Sequence, residues 1–571
     1  MNITKKNNLT EILVFILFCI CTIVVSIFHE PWFDEVQAWA ISKDSIINIL
    51  FLLPHYEGHP PLWHLILKCF SHFNMPVEYG VKIPNLLFMF GAVWLLIFKS
   101  PFPKTIKLIL PFTYFIFYQY AIISRPYSLF CFALFLAATL YETRNEKPFR
   151  FMGALALLCL SSAYGMIFTA GICIAWFIAV IKEVSIKKVF SNKQLYSMFI
   201  LFILCSVLAL EIMPAKDVFV LHTGISKDYI LKFLSTFFIL PADAIVTNFF
   251  DYVTIDIFDV DFKHFLHRFN NPDIDGFIIK FWNCCLIGCL VNVLLIMFFK
   301  LMGKLSDFLI PYSLFLFSTF ILYMHVHHIG LLFIFFMYAF WCVFSVETVK
   351  FNPKLKKIFS YSLLIVLAIQ LYWSVCSIYA DLRYAYSAQR EAIAFIKEQH
   401  LTDYKILGTW STCYALLDKK TNKRHISHIA DPNRQGYFND DEFLKYYNKI
   451  AIAFLNRQHW SVILNSYFNK NLFYNFNMDN PERLYLFHNV MSQEKTKEEL
   501  KRIKELGLPE VVLGTASLDS IFNEYGVISK NYRVMETFRS SSIWKDKMID
   551  NELSIYMRND LFYEWIKGSV K

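Results

Sequence analysis

Residues 9–35 read LTEILVFILFCICTIVVSIFHEPWFDE. The apolar run from Leu9 to Phe28 has the ~20 residues a helix needs to cross a hydrocarbon core. It ends on His29, Glu30 and Pro31, with the adjacent carboxylates Asp34 and Glu35 close behind. Lys5 and Lys6 precede the run, as they would in a signal peptide, but no small-residue A-x-A site follows, so it is expected to persist as a first membrane span. Ionisable groups set hard against a bilayer are costly unless they serve something.

Working outward, the same alternation of apolar run and short polar loop recurs. The 571 residues are 56% hydrophobic and include 60 Phe, a composition of membrane rather than ordinary soluble proteins. Eleven spans are expected, near residues 9–28, 80–98, 106–123, 126–141, 150–164, 166–182, 195–213, 277–299, 306–324, 329–346 and 358–378. The fifth and sixth come from one apolar stretch that is expected to break at SSAYGM, residues 161–166. The fold class is therefore a polytopic α-helical membrane protein of about eleven transmembrane helices, with a membrane part over 1–378 and a C-terminal extracytoplasmic mixed α/β domain over 379–571.

The formal charge of +9 does not point to nucleic acid, because the basic residues sit in short clusters between apolar runs. Those clusters are Lys5 and Lys6, Lys99 to Lys107, Arg144 to Arg150, Lys182 to Lys193, Lys300 and Lys304, and Lys350 to Lys357. They share one side with the N-terminus, which is expected to be cytoplasmic in a multi-pass protein of the inner membrane. The opposite side receives the long loops 29–79 and 214–276, and after eleven crossings the C-terminal segment. Of the 13 Cys only Cys413 lies in the polar tail, so neither a disulfide framework nor a zinc spacing can be built. In that tail QREAIAFIKEQH and TKEELKRIKEL read as helices, KILGTW and WSVILNS as strands, and no nucleophile elbow or phosphate loop is present.

The opening loop continues to residue 64 as VQAWAISKDSIINILFLLPHYEGHPPLWH. FDEVQAWAIS is expected as a helix begun by Pro31, with Asp34 and Glu35 in its first turn, and IINILFLL as a second capped by Asp44. Both, with WHLILKCF after the Pro60-Pro61 stop, look like helices lying along the membrane surface. Such a loop could bring Asp34, Glu57 and His59 together at the lipid boundary. His325, His327 and His328 fall on the same side as His55, His59 and His64. They could form a divalent metal site of zinc or manganese type, or bind phosphate and cap loop ends; the spacing matches no known metal signature.

Here the residues carry a resemblance. The pair Asp34-Glu35 after the first span, then Tyr56-Glu57-Gly58-His59-Pro60-Pro61-Leu62 at the end of the same loop, resembles the GT-C class of integral-membrane glycosyltransferases. It is similar in particular to protein O-mannosyltransferases and to the aminoarabinose transferases that modify lipid A. Ser124-Arg125-Pro126-Tyr127-Ser128-Leu129 is similar to the A-R-P-Y-S-L sequence of many bacterial members. The likeness in motifs covers residues 29–129; beyond them only the architecture matches.

The resemblance implies an inverting glycosyltransferase that moves a sugar from a polyprenyl-phosphate donor to a glycan, lipid or protein acceptor of the cell envelope. It implies Asp34 as base for the acceptor hydroxyl, with Glu35 and Glu57 as catalytic partners. Arg125, with His59 and Tyr127, would hold the donor phosphate. Where the aminoarabinose transferases carry Lys after the glutamate, Gly58-His59 stands here, a departure in which His59 could take that phosphate contact only if protonated or as a neutral donor. Taken alone, an acidic pair after a span is also what a solvated helix start looks like, and Arg125 also suits a snorkelling contact with lipid headgroups. A polymerase or ligase using polyprenyl-diphosphate glycans is the nearest alternative. A transporter is further off, since the ionisable residues gather at the outer boundary and no repeat is evident.

Overall fold

The computed structural model describes residues 8–73, 75–182, 192–214, 229–250, 274–321, 326–346, 353–408, 415–418, 423–426, 436–438, 459–468, 472, 505–514 and 531–569. Most of the 214–276 loop, His325, Cys413 and most of TKEELKRIKEL lie outside the described residues.

Seven helices among the described residues are long and apolar enough to cross a membrane: Leu9–Phe28, Val77–Lys99, Ala163–Ile181, Lys193–Glu211, Ile278–Leu301, Val326–Ser345 and Tyr361–Arg383. The chain is thus a multi-pass membrane protein. In Val326–Ser345 89% of the residues of the most apolar stretch are buried, whereas in Leu9–Phe28 only 22% are, its exposed face lined by Leu13, Leu17, Ile20 and Val24. Three further expected spans are helices of 14, 14 and 17 residues, Tyr127–Leu140, Pro148–Ser161 and Leu305–Ile321, each short of the ~20 residues of a full crossing.

The expected span 106–123 is not one helix. Lys104–Ile109 gives way to a 3-10 turn, Leu110–Phe112, and then to a fully buried π-helix, Phe115–Ile122. Pro111 lacks the N–H that would continue the α-ladder. Asn85, itself buried, donates to the carbonyls of Tyr120 and Ala121 at 3.1 and 2.9 Å, satisfying acceptors at the end of the wide turn. The 151–181 stretch breaks at Ser162, whose side chain accepts from the Gly165 amide at 3.0 Å. Gly165 is required there, because a Cβ would lie 2.1 Å from the Leu158 carbonyl oxygen.

The opening loop forms Phe33–Ser42, Ile46–Phe51, Pro54–Glu57 and Leu62–Ser71. The second is capped by Ser45, which accepts from Asn48 N, while Asp44 accepts from Ser45 N and Asn48 Nδ2. Phe33–Ser42 is not a surface helix: every residue but Asp34 is buried. Its Val36, Trp39 and Ile41 share one apolar core with Trp63, Leu67, Ala392, Ile393, Leu464, Leu513 and Ile555. Phe33–Ser42 thus buries its apolar side in a core shared with the C-terminal segment, whereas Ile46, Ile47 and Phe51 of the next helix remain exposed.

That segment carries a four-stranded sheet in the order β1-β5-β7-β6, made of β1 (Ile406–Gly408), β5 (Val511–Gly514), β6 (Tyr532–Trp544) and β7 (Lys547–Arg558). β1 runs parallel to β5 and the other pairs are antiparallel, so sheet and flanking helices make a mixed α/β layer. Short strands β2 (Ala415–Asp418), β3 (Lys423–Ile426) and β4 (Gly436–Phe438) pair separately. WSVILNS is helix, not strand, within His459–Phe468; Ile463, Leu464, Tyr467 and Phe468 recur at helical spacing and pack into the shared core.

Two devices key the segment to the membrane helices. The Glu30 carboxylate accepts from the amides of Ser387, Gln389 and Arg390 at the start of helix Gln389–Glu398, while Arg390 pairs with Glu78 and donates to the carbonyls of Ile27 and Phe28. The tip of the β6–β7 hairpin enters the helical body. Trp544 donates to Phe250 O at 2.9 Å, and Lys545 Nζ donates to Asp243 O and Thr247 O at 2.8 and 2.7 Å.

Candidate functional site

Asp34 stands in the first turn of Phe33–Ser42, and Arg125 in the link between the π-helix and Tyr127–Leu140. Their side chains meet at 2.6 Å, Arg125 Nη1 to Asp34 Oδ2, and retain 15% and 22% exposure. Burial works against the Arg125 charge, and the Asp34 carboxylate more than restores it, so the guanidinium is held protonated. The ring centroids of Trp32 and Tyr127 lie 6.0 and 5.7 Å from it, a cation–π arrangement that leaves an aromatic wall beside the ion pair.

Glu35 is placed differently from its neighbour. It is fully buried, its Oε1 accepting from the Ser124 amide at 2.6 Å and its Oε2 from the Trp32 amide at 2.9 Å. Burial pushes its pKa up, but His29 and these amides bring it below the ordinary carboxylate value. Glu35 ties the loop that presents Asp34 to the loop that presents Arg125; it offers no free oxygen to a substrate.

Glu57 accepts from Gln37 Nε2 at 3.0 Å. Burial raises its pKa, Arg125 lowers it and Asp34 raises it again, leaving it pushed up to about 7, a range suited to proton exchange at neutral pH. Burial and then Arg125 push His59 and His64 down to about 3, so both are neutral near pH 7. The Nδ1 of His59 lies 3.5 Å from the Ala163 amide and accepts from it, which leaves its N–H on Nε2. His59 can therefore meet a phosphate as a neutral donor, not as a cation.

His327 and His328 join the aromatic wall. The His327 ring is 5.8 Å from Trp32 and 6.1 Å from Tyr127, and His328 Nδ1 is 3.1 Å from the Tyr164 hydroxyl. His55 is turned elsewhere, with Nδ1 at 2.6 Å from Met213 O beyond the end of Lys193–Glu211. Among the described residues no group of three or more His, Cys, Asp or Glu is gathered as metal ligands. The described histidines thus divide between the aromatic wall, the neighbourhood of Arg125 and a helix end.

The sequence reading passed over His29, Gln37, Tyr164 and Asp381. His29 was visible as a lone imidazole between a span and an acidic pair, but its partner Asp381 is 352 positions away. Scanned against protein-family models and against curated protein sequences, the chain matches none.

Proposed function

We propose that this chain is an inverting glycosyltransferase that moves a sugar from a polyprenyl-phosphate donor to an envelope acceptor at the outer face of the cytoplasmic membrane. The observation that carries the reading is the Asp34–Arg125 pair at 2.6 Å, partly open to solvent beside Trp32 and Tyr127. A single displacement needs a carboxylate for the acceptor hydroxyl and a cation for the departing phosphate within one site. In this reading the donor phosphate takes over the Arg125 fork, releasing the Asp34 carboxylate to accept the acceptor proton. The acceptor oxygen bonds to the anomeric carbon as the C–O bond to phosphate breaks, and the phosphate leaves with the electron pair. Glu57, poised near neutrality, orients the acceptor hydroxyl. Neutral His59 and Tyr127 donate to phosphate oxygens, and the aromatic wall supports the sugar face.

The same reading takes the membrane part as eleven crossings in a GT-C-like arrangement, with three short helices and the broken 104–122 segment counted among them. It sets the N-terminus in the cytoplasm, and loops 29–79 and 214–276 outside with the 379–571 domain. The burial of loop 29–79 in one core with that domain supports placing both on one side. The test is a donor panel. Purified protein is incubated with polyprenyl-phosphate hexoses and pentoses and, separately, with polyprenyl-diphosphate oligosaccharides, and release of the lipid phosphate is followed. Release of monophosphate supports the proposal; turnover of diphosphate-linked glycans alone replaces it with the polymerase or ligase reading.

A further inference from the structure

Behind the Asp34–Arg125 pair lies a buried ionic chain. His29 and Glu35 are fully buried, and Asp381 retains 5% exposure. His29 Nδ1 is 2.9 Å from Asp381 Oδ2, and its Nε2 is 3.4 Å from Glu35 Oε2. A neutral imidazole has one N–H and can serve only one of these carboxylates, whereas the protonated ring donates to Asp381 and faces Glu35 with its second N–H at ion-pair distance. Burial pushes the His29 pKa down, and Asp381 and Glu35 more than reverse this, lifting it to about 9. Tyr118 and Tyr386 place their rings 6.3 and 4.5 Å from the imidazole, and Lys82 and Arg390 donate to the His29 carbonyl at 2.6 and 3.5 Å.

We propose that His29 is a positioning residue: bridging Glu35 and Asp381, it holds the Trp32–Glu35 turn against the Ser124–Arg125 loop and makes the Asp34–Arg125 pair depend on the docked segment 381–390. Each link is geometric. Asp381 belongs to the last turns of helix Pro353–Arg383, which leads into the C-terminal segment. The neighbouring Glu30 accepts from the Ser387 hydroxyl at 2.9 Å and from three backbone amides of residues 387–390. Through Glu35, the far end of the chain reaches the amides of Trp32 and Ser124, the second of which directly precedes Arg125. Without the imidazolium, Glu35 would keep its two backbone donors but lose the nearest charge that offsets its full burial, a state that relaxes by movement or protonation. The segment's docking is thereby transmitted to the site without touching a substrate.

The inference rests on the glycosyl-transfer reading only for its kinetic readout. Full-length wild type, His29→Gln and Asp381→Asn are prepared with 15N-histidine. At pH 7.5 the ring signal missing from His29→Gln is expected, in wild type, to show both nitrogens protonated. Hydrogen exchange in residues 30–36 and 122–126 is expected to rise at least ~10-fold in both variants, as for loss of a charge-assisted hydrogen bond, with other segments unchanged. Turnover of the active donor is expected to fall ~10- to 100-fold in kcat with KM within ~3-fold, the signature of misplaced reacting groups. A neutral His29 ring in wild type overturns the proposal, as does exchange that is unchanged or that rises throughout the protein. If no donor is turned over, the transferase reading fails while the ring signal and the exchange pattern still decide the role of His29.

Discussion

Replacing Trp544 by Ala tests whether the C-terminal hairpin is part of the membrane body. The Trp544 side chain is fully buried. It lies edge-on to Tyr114 at 5.6 Å and near Phe115 at 6.4 Å, and donates to Phe250 O at 2.9 Å. Truncating a buried Trp costs ~3–5 kcal/mol, from lost burial and the cavity left behind. Trp544→Phe keeps most of the ring contacts and loses the hydrogen bond, for ~1–1.5 kcal/mol. For a chain larger than the 150–250-residue domains that shift by 2–4 °C per kcal/mol, the Ala variant is expected to melt ~4–8 °C lower and the Phe variant ~1–2 °C lower. The assay is reaction of a thiol-specific dye on heating. Cys131, Cys284, Cys285 and Cys342 are buried in helices of the membrane body, so their exposure reports that body and not the sheet. A midpoint unchanged in Trp544→Ala would refute the reasoning, because it would mean that the helices do not rely on the hairpin.

Two further outcomes follow from the structure. Asn85→Ala removes the donor to the Tyr120 and Ala121 carbonyls and is expected to destabilise by ~1–3 kcal/mol, read as a lower midpoint in the same dye assay. Glu57 has a pKa raised from 4.5 to about 7, so the folded state favours its neutral form. Its contribution to stability is present below pH 4.5 and is lost as the pH rises through 7. The melting midpoint of Glu57→Gln is therefore expected to fall less than that of wild type between pH 4.5 and 7.5, measured by scanning calorimetry in detergent.

Local periodicity was legible where one segment decides its own conformation. The helix Phe33–Ser42 has the bounds read from FDEVQAWAIS, and the break in 151–181 falls inside SSAYGM. Hydropathy located the seven long helices, but it cannot distinguish a straight helix from the Pro111-interrupted path that ends in a π-helix, since both are equally apolar. The expectation of surface helices over 33–53 failed for Phe33–Ser42 because its apolar side joins one core with Ala392, Leu464 and Ile555, whose approach no local window contains. In the site, Asp34 and Arg125 were legible as charges beside spans, and the structure brings them into contact. Glu35 was read as a second catalytic carboxylate because adjacency in sequence hides direction; successive helical residues point about 100° apart, and Glu35 faces inward to His29 and Ser124. His55, His64, His327 and His328 were grouped by side of the membrane alone, which fixes no distance between them.

The most direct test of the account is the rate at which wild type and Asp34→Asn release polyprenyl phosphate from a donor that both bind. With Asp34 as the base, release coupled to sugar transfer is expected in wild type and falls ~100-fold or more in the variant, while donor affinity, assigned to Arg125 in the proposal, is expected to be retained. Release at the wild-type rate by Asp34→Asn would contradict the central claim.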